Sequence, residues 1–164
     1  DMAKATLFYN EIEDLIDYDF ATYAFANVGG TSKLKGVELE YANSFFGVLD
    51  VSLFYTWLDA ENGEGQKLAS RPEHQFDANV LYQISEALSL SVNGQYVGKR
   101  FDGAGETGAQ TGQYALFNGV LNYEWNDHVS LYGKMDNITD IHYQLRDGYA
   151  TAERSFFVGV SADY

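Results

Sequence analysis

Four loop residues carry the side chains in this sequence that are best suited to hold a polar ligand. Arg100 and Asp102 border one polar, glycine-rich stretch, and Arg146 and Tyr149 lie in another. A guanidinium group donates several fixed hydrogen bonds, a carboxylate accepts them, and a phenol adds an aromatic face with a hydroxyl. We therefore predict that these four residues contact the ligand, if the chain binds a small molecule.

The three histidines offer no catalytic or metal-binding set. They are scattered over separate connections and strand ends, at His74, His128 and His142. Histidine is the commonest metal ligand, but a site needs several ligands that converge. The chain also contains no cysteine, and no Ser/His/Asp arrangement is indicated. We predict no enzymatic activity, no cofactor and no metal centre.

One glycine-rich stretch, GAGETG at residues 103–108, superficially resembles a phosphate-binding loop. Such a loop needs a Lys-Ser/Thr pair and a helix that begins directly after it. Neither follows here, so the pattern predicts a flexible loop.

Acidic residues gather in two groups along the chain. Their members are Glu11, Glu13, Asp14, Asp17 and Asp19, and then Asp59, Glu61 and Glu64. Oxygen-rich loops can bind Ca²⁺, but the ligand spacing of an EF-hand is absent. We interpret both groups as solvated external surface, and the sequence alone leaves Ca²⁺ binding open.

The overall composition restricts the class of protein. A chain of 164 residues is long enough for one domain. Its formal charge of −14 argues against nucleic-acid binding, which requires a basic surface for the phosphates. No run of about 18 apolar residues is present, so no transmembrane helix is expected. Aromatic residues are abundant, with 13 Tyr, 11 Phe and 2 Trp. The mean hydropathy of −0.28 is compatible with a membrane β-barrel, because apolar and polar residues alternate along its strands and their hydropathies average to a neutral value.

Alternation of apolar and polar residues dominates the sequence. In the stretch LSLSVNGQYVGK, Leu88, Leu90 and Val92 alternate with Ser89 and Ser91. A period of two is typical of β-strands with one apolar face. The pattern predicts eight strands, at residues 3–17, 21–43, 47–59, 72–85, 88–101, 112–125, 128–140 and 152–164.

The predicted connections fall into two length classes, which alternate along the chain. The first connection, near residues 17–22, breaks the alternation because it is short. The others alternate along the chain: short at 43–47, 85–88 and 125–128, long and polar at 59–71, 102–111 and 141–151. Short periplasmic turns that alternate with long extracellular loops are typical of outer-membrane barrels. The predicted fold class is therefore all-β, an antiparallel up-and-down transmembrane β-barrel.

The same alternation assigns the two faces of the strands. Lipid requires the apolar face, on which we place Leu90, Val92, Leu121, Leu131, Met135 and Val160. Aromatic residues concentrate at the strand ends, where the girdles of membrane barrels lie: Tyr55, Trp57, Tyr82, Tyr96, Tyr123, Trp125 and Tyr164. The alternative is a soluble β-sandwich with the apolar face as its core, which the aromatic ends and the sorted loops disfavour.

The final stretch, RSFFVGVSADY, alternates up to an aromatic residue. Outer-membrane barrels commonly end in such a strand, which resembles the signal that the barrel-insertion machinery recognises. Gly159, Ala162 and Tyr164 stand at the matching positions, although alanine is only weakly apolar. We predict that Tyr164 is a genuine C-terminus and that these residues form the insertion signal.

Six motifs in order resemble TonB-dependent outer-membrane receptors, in particular the cobalamin and catecholate-siderophore branch. They are FYNEIEDLI (8–16), GGTSKLKGVELE (29–40), RPEHQFDANVLYQ (71–83), YVGKRFD (96–102), DNITDIHY (136–143) and the closing strand with Arg154. Asn137, Asp140 and Tyr143 match the family's Asn-Leu-hydrophobic-Asp-x-x-Tyr element. The resemblance implies that residues 1–164 form the C-terminal segment of a 22-stranded barrel, without the plug domain and the TonB box.

The resemblance also implies a function and a location. A receptor of this family takes up a scarce, bulky nutrient, such as cobalamin or an iron–siderophore complex, across the bacterial outer membrane. The expected partners are outer-membrane lipid and lipopolysaccharide, the barrel-insertion machinery, the nutrient, and TonB acting only through the plug. The alternative is a self-closed eight-stranded barrel with a structural or adhesive role, in which the first strand pairs with the last. An enzyme within a barrel is a third option that no residue set supports.

Overall fold

The computed structural model describes residues 1–19 and 22–163. Within these ranges it contains twelve β-strands and a 3₁₀ helix at Ala104–Glu106. The strands are Met2–Glu13 (β1), Ile16–Asp19 (β2), Ala24–Asn27 (β3), Thr31–Phe45 (β4), Leu49–Glu61 (β5), His74–Ser85 (β6), Leu88–Val97 (β7), Phe101–Gly103 (β8), Thr107–Gln110 (β9), Tyr114–Asn126 (β10), Val129–Asp136 (β11) and Ser155–Ala162 (β12). No described helix is long and apolar enough to cross a membrane.

Eight strands form one antiparallel sheet in the order β1-β4-β5-β6-β7-β10-β11-β12. Each strand of this sheet pairs with the next one along the chain, as in an up-and-down meander. The all-β, antiparallel prediction is confirmed, as is the number of sheet strands. In the described residues, β1 and β12 are the two edges and do not pair with each other. The sheet is therefore open and is not a self-closed eight-stranded barrel.

A short hairpin of β2 and β3 lies outside this sheet. The predictions of one strand over residues 21–43 and of a short first connection are therefore wrong. The connection between β1 and β4 is long and contains the hairpin, with Asp14 and Gly30 at φ values of 50° and 78° near its two ends. Alternation continues through the hairpin because its strands are extended too, so the pattern did not reveal where the chain leaves the sheet.

The prediction of a flexible loop at residues 103–108 is also wrong. This stretch lies in a second hairpin, in which β8 pairs with β9 around the 3₁₀ helix. Gly105 and Gly108 have φ values of 64° and 76°, in the left-handed region that glycine adopts without steric cost. The glycines therefore serve tight turns here.

All four long connections lie at one end of the sheet. They join β1 to β4, β5 to β6, β7 to β10 and β11 to β12, whereas short turns join the other neighbours at residues 46–48, 86–87 and 127–128. The predicted sorting of loops by length is confirmed, and the first connection belongs to the long class.

The strand register places apolar side chains on one face of the sheet. Directly opposed residues share a face, and Tyr82, Leu90 and Leu121 lie opposite one another on β6, β7 and β10. Leu121 is 44% exposed although its strand is central, and Val158 on the edge strand is 89% exposed. A soluble sandwich would bury this face, whereas lipid is a suitable solvent for it. The exposed apolar face thus fits the predicted membrane sheet.

Aromatic residues lie at both ends of the long strands. Near the long connections, the hydroxyl of Tyr55 shares a hydrogen bond of 2.8 Å with Nδ1 of His74. Near the short turns, the rings of Tyr123 and Trp125 meet edge to face, with centroids 6.4 Å apart. Tyr164, the last predicted girdle residue, lies outside the described residues. This placement matches the aromatic girdles of membrane barrels.

Hydrogen-bonded polar side chains occupy the opposite face. Nδ2 of Asn93 donates to Oδ1 of Asn79 at 2.9 Å, and Nδ2 of Asn118 donates to Oδ1 of Asn93 at 3.3 Å. The backbone N–H of Asn137 donates to Oδ1 of Asn118 at 3.0 Å. We call these four residues the asparagine ladder. It connects β6, β7 and β10 to the start of the loop after β11 and suits a hydrated lumen.

Candidate functional site

The long connections converge on an open cavity of about 1130 Å³. Its described walls come from the β2–β3 hairpin, the loop after β5, the β8–β9 hairpin and the loop after β11. Three of the four predicted ligand contacts, Asp102, Arg146 and Tyr149, line this loop cavity. Arg100 lines a neighbouring cavity of about 90 Å³ instead. The structure therefore brings three of the four predicted residues together.

Asp102 connects two of these walls. Its Oδ1 accepts a hydrogen bond from the hydroxyl of Thr111 at 3.1 Å, and its Oδ2 accepts one from the backbone N–H of Asp147 at 2.8 Å. Charge-assisted hydrogen bonds of this kind are stronger than neutral ones. The carboxylate thus holds the loop after β11 against the β8–β9 hairpin.

Arg100 makes a second connection between the same two segments. One terminal nitrogen of its guanidinium group donates to the backbone carbonyl of Leu145 at 3.1 Å. Its Nε is buried and has no hydrogen-bond partner among the described residues. Leu145 directly precedes Arg146 in the chain, so Arg100 helps to position a residue that lines the cavity.

Asn137 organises the base of the loop after β11. The residue is only 3% exposed and has a φ value of 51°. Its side chain donates to the carbonyl of Ile141 at 2.9 Å and accepts from the N–H of the same residue at 3.0 Å. Asparagine is one of the few residues that tolerate the left-handed conformation while satisfying nearby backbone groups. Asn137 therefore closes the first turn of the loop.

Asp140 and Arg154 fasten the two ends of this loop. The Asp140 carboxylate accepts from the backbone N–H of Arg154 at 3.0 Å and from its guanidinium at 3.1 Å. Within the loop, the ring of Tyr143 lies 4.7 Å from that of Tyr114. These residues are not among the four predicted ligand contacts, although Asn137, Asp140 and Tyr143 belong to the family element in DNITDIHY. Their contacts here are structural, because they set the path of the loop.

An ion-pair cluster lies on the outward face, just beyond the membrane-spanning part of β5, whose last aromatic residue is Trp57. Asp59 binds Lys35 at 3.0 Å and also binds Lys67 in the loop after β5. The hydrogen bond from Lys67, followed by that from Lys35, lowers the pKa of Asp59, and the same bond to Asp59 raises the pKa of Lys67. The prediction that Asp59 belongs to a solvated acidic surface is wrong, because its carboxylate ties the loop to the sheet.

Asp17, from the first acidic group, lines the loop cavity. Glu11 in the same group accepts a hydrogen bond from the hydroxyl of Tyr9 at 2.6 Å. In the described part of the chain, no three His, Asp or Glu side chains are grouped so that they could hold a metal ion.

Gly159, one residue of the predicted insertion signal, has a steric role in the sheet. It lies opposite Tyr132 on β11, and a Cβ atom at this position would overlap the Tyr132 ring. Ala162 ends β12, and Tyr164 lies outside the described residues. Glycine at 159 therefore makes room for a neighbouring aromatic ring on the lumen side.

Comparison with protein families gives one match that spans most of the chain. The family model for the TonB-dependent receptor-like β-barrel matches residues 1–138. A curated relative, the vitamin B12 transporter BtuB of Vibrio cholerae, is 31% identical over 160 residues. That alignment covers 94% of this chain but 26% of the relative, so the chain spans about a quarter of the length of such relatives.

Solved structures of similar fold also belong to outer-membrane receptors. The siderophore receptor PiuA from Acinetobacter baumannii has a TM-score of 0.80 at 22% identity, over 99% of this chain and 26% of that one. The ferric-catecholate import receptor Fiu from E. coli has a TM-score of 0.76 at 23% identity, over 98% and 25%. At these identities the likeness establishes the fold. Together with the family match, it confirms the resemblance identified from the six motifs.

Proposed function

Because the chain belongs to the family of TonB-dependent receptor β-barrels, we propose that it forms the wall and loops of an active transporter for cobalamin or an iron–siderophore complex. Members of this family are bacterial outer-membrane proteins, and they are receptors and transporters, not enzymes. The exposed apolar face of the sheet suits that location. Uptake is energised through TonB, which acts on a plug within a 22-stranded barrel.

The observation that carries this proposal is the convergence of the long connections on one cavity. A volume of about 1130 Å³ exceeds the 300–1,000 Å³ that is usual for sites of drug-sized ligands. Arg146 and Tyr149 line it from a loop that Asp102, Asn137 and Asp140 hold in place. Rigid support of ligand-binding loops lowers the entropic cost of capture. The loops thus supply a preorganised part of the surface that captures the nutrient.

The remaining partners follow from the same proposal. The apolar face contacts outer-membrane lipid, and the outer ends of the strands contact lipopolysaccharide. Gly159, Ala162 and Tyr164 present the insertion signal to the barrel-insertion machinery. The rival function, a self-closed barrel with a structural or adhesive role, is not favoured because β1 and β12 are both edges of the described sheet.

Uptake measurements test the proposal directly. Cells that produce the full receptor of which this chain is a segment are compared with and without functional TonB for accumulation of labelled cyanocobalamin and of ferric siderophores. We expect TonB-dependent uptake of one ligand class, and a reduction of about tenfold when Arg146 and Tyr149 are both replaced by alanine. The control is Asp127→Asn, in the short turn at the other end of the sheet. Membrane insertion without any TonB-dependent uptake would contradict the proposal.

A further inference from the structure

The described lining of the loop cavity carries more negative than positive charge. Asp17, Asp102 and Asp147 contribute carboxylates, whereas Arg146 contributes the one cation among the described lining residues. Resting on the proposed function, we propose that the natural ligand is a bulky complex without net negative charge, either neutral or cationic. A polyanionic chelate is the ligand class that this cavity disfavours.

The carboxylate of Asp102 is a fixed part of the cavity wall. Both of its oxygens are engaged in holding the two loops together, so the side chain cannot turn away from an incoming anion without loss of that connection. The net charge of −14 on the whole chain adds a field of the same sign. Such a field attracts cations and slows the approach of anions. A ligand with several negative charges would meet Arg146 as its one partner of opposite charge in the described lining.

Aromatic side chains provide the complementary attraction. Tyr18, Tyr23 and Tyr149 line the same cavity, and the last two are 79% and 69% exposed. Exposed tyrosines offer a large apolar contact area with a hydroxyl at its edge, and their ring faces attract cations. The lining therefore suits a large organic ligand with an apolar body.

Equilibrium binding with three probes of different charge tests the inference. The full receptor that contains this segment is purified from outer membranes in detergent and titrated with neutral cyanocobalamin, a monocationic ferric tris-hydroxamate and a trianionic ferric tris-catecholate. We expect the neutral or the cationic probe to bind at least tenfold more tightly than the trianion. Tightest binding of the trianion would overturn the charge inference and leave the proposed function intact. Binding of none of the probes would contradict the proposed function itself.

Charge variants locate the effect in the cavity. Asp147→Asn should strengthen binding of the trianion by roughly two- to fivefold and weaken binding of the monocation by a similar factor, more so at low ionic strength. Arg146→Gln should shift both affinities in the opposite direction. Asp127→Asn removes the same charge outside the cavity and should leave both affinities unchanged. If Asp127→Asn acts like Asp147→Asn, the overall charge and not the cavity is responsible, and the inference fails. Heat-modifiable electrophoretic mobility verifies that each variant is folded.

Discussion

The carboxylate of Asp102 accepts a hydrogen bond from the backbone N–H of Asp147 at 2.8 Å, although 45 residues separate them in the chain. Through this contact the β8–β9 hairpin determines where the loop after β11 lies. A residue predicted from its chemistry to touch the ligand therefore also positions two neighbouring walls of the cavity.

Asp102→Ala should loosen the loop after β11. Loss of two hydrogen bonds to a charged group corresponds to about 1–3 kcal/mol for the local contact, so protease cleavage within residues 141–151 should become several-fold faster. Asp102→Asn retains acceptor capacity and should have a smaller effect. Limited proteolysis in detergent measures the difference. Equal cleavage of the alanine variant and the unchanged protein would show that the contact does not hold the loop.

Asn137→Ala should destabilise the same loop at its base by about 2–3 kcal/mol, because a buried turn loses its side-chain partners and keeps a left-handed backbone. Asn137→Gly serves as the matched control, since glycine adopts the φ value of 51° without strain but makes no side-chain hydrogen bonds. Unfolding by urea in detergent, monitored by hydrogen exchange at residues 137–143, separates the contribution of the side-chain hydrogen bonds from that of the backbone strain. If both variants unfold like the unchanged protein, the side chain of Asn137 is dispensable.

Gly159→Ala should impair assembly because the added methyl group overlaps the ring of Tyr132. Overpacking of this kind destabilises by about 1–3 kcal/mol. The double variant Gly159→Ala with Tyr132→Ala should recover most of the heat-modifiable, folded protein in the outer membrane. Recovery in the double variant identifies the role of Gly159 as steric. A defect that persists without the Tyr132 ring would instead favour recognition of Gly159 by the insertion machinery.

The contacts of Asp59 should make the loop after β5 sensitive to pH at both extremes. The pKa of Asp59 is lowered from 3.8, so its contribution is present above that value and is lost as the pH falls through the folded-state pKa. The pKa of Lys67 is raised from 10.5, so its contribution is present below that value and is lost as the pH rises further. The rate of hydrogen exchange at residues 62–73 is measured at each pH in the unchanged protein and in Asp59→Asn. The two rates should differ between the folded-state pKa values of Asp59 and Lys67, and they should converge outside that range. A constant difference at all pH values would contradict the ion-pair explanation.

Leu121→Lys should destabilise the membrane-inserted protein by about 1–3 kcal/mol, because a charge on the lipid face has to be removed from water and Leu121 lies between the midplane and the girdle residue Tyr123. Asn122→Lys places the same charge on the neighbouring residue of β10, which faces the lumen, and should be tolerated. Urea titration in lipid vesicles compares the two variants. If Asn122→Lys is the more harmful one, the assignment of the two faces is reversed.

The regular part of the fold could be predicted from the sequence because each sheet strand has one face in lipid. Alternation at Leu88, Leu90 and Val92 revealed strands and faces, and the lengths of the connections revealed the two ends of the sheet. The β2–β3 hairpin escaped prediction because extended segments alternate whether or not they belong to the main sheet. Contacts such as Asp102 with Asp147 escaped as well, because hydrogen bonds to the backbone of a distant loop leave no periodic pattern.

The asparagine ladder gives the sheet protection against mispairing that hydropathy alone does not provide. A slip of one residue between β7 and β10 would turn polar side chains into lipid and is excluded by solvation. A slip of two residues keeps every side chain on its proper face, so solvation does not oppose it. That slip would separate Asn93 from Asn118 and break the hydrogen bond between their side chains. This cross-strand hydrogen bond between side-chain amides thus favours the correct alignment of β7 and β10 during folding.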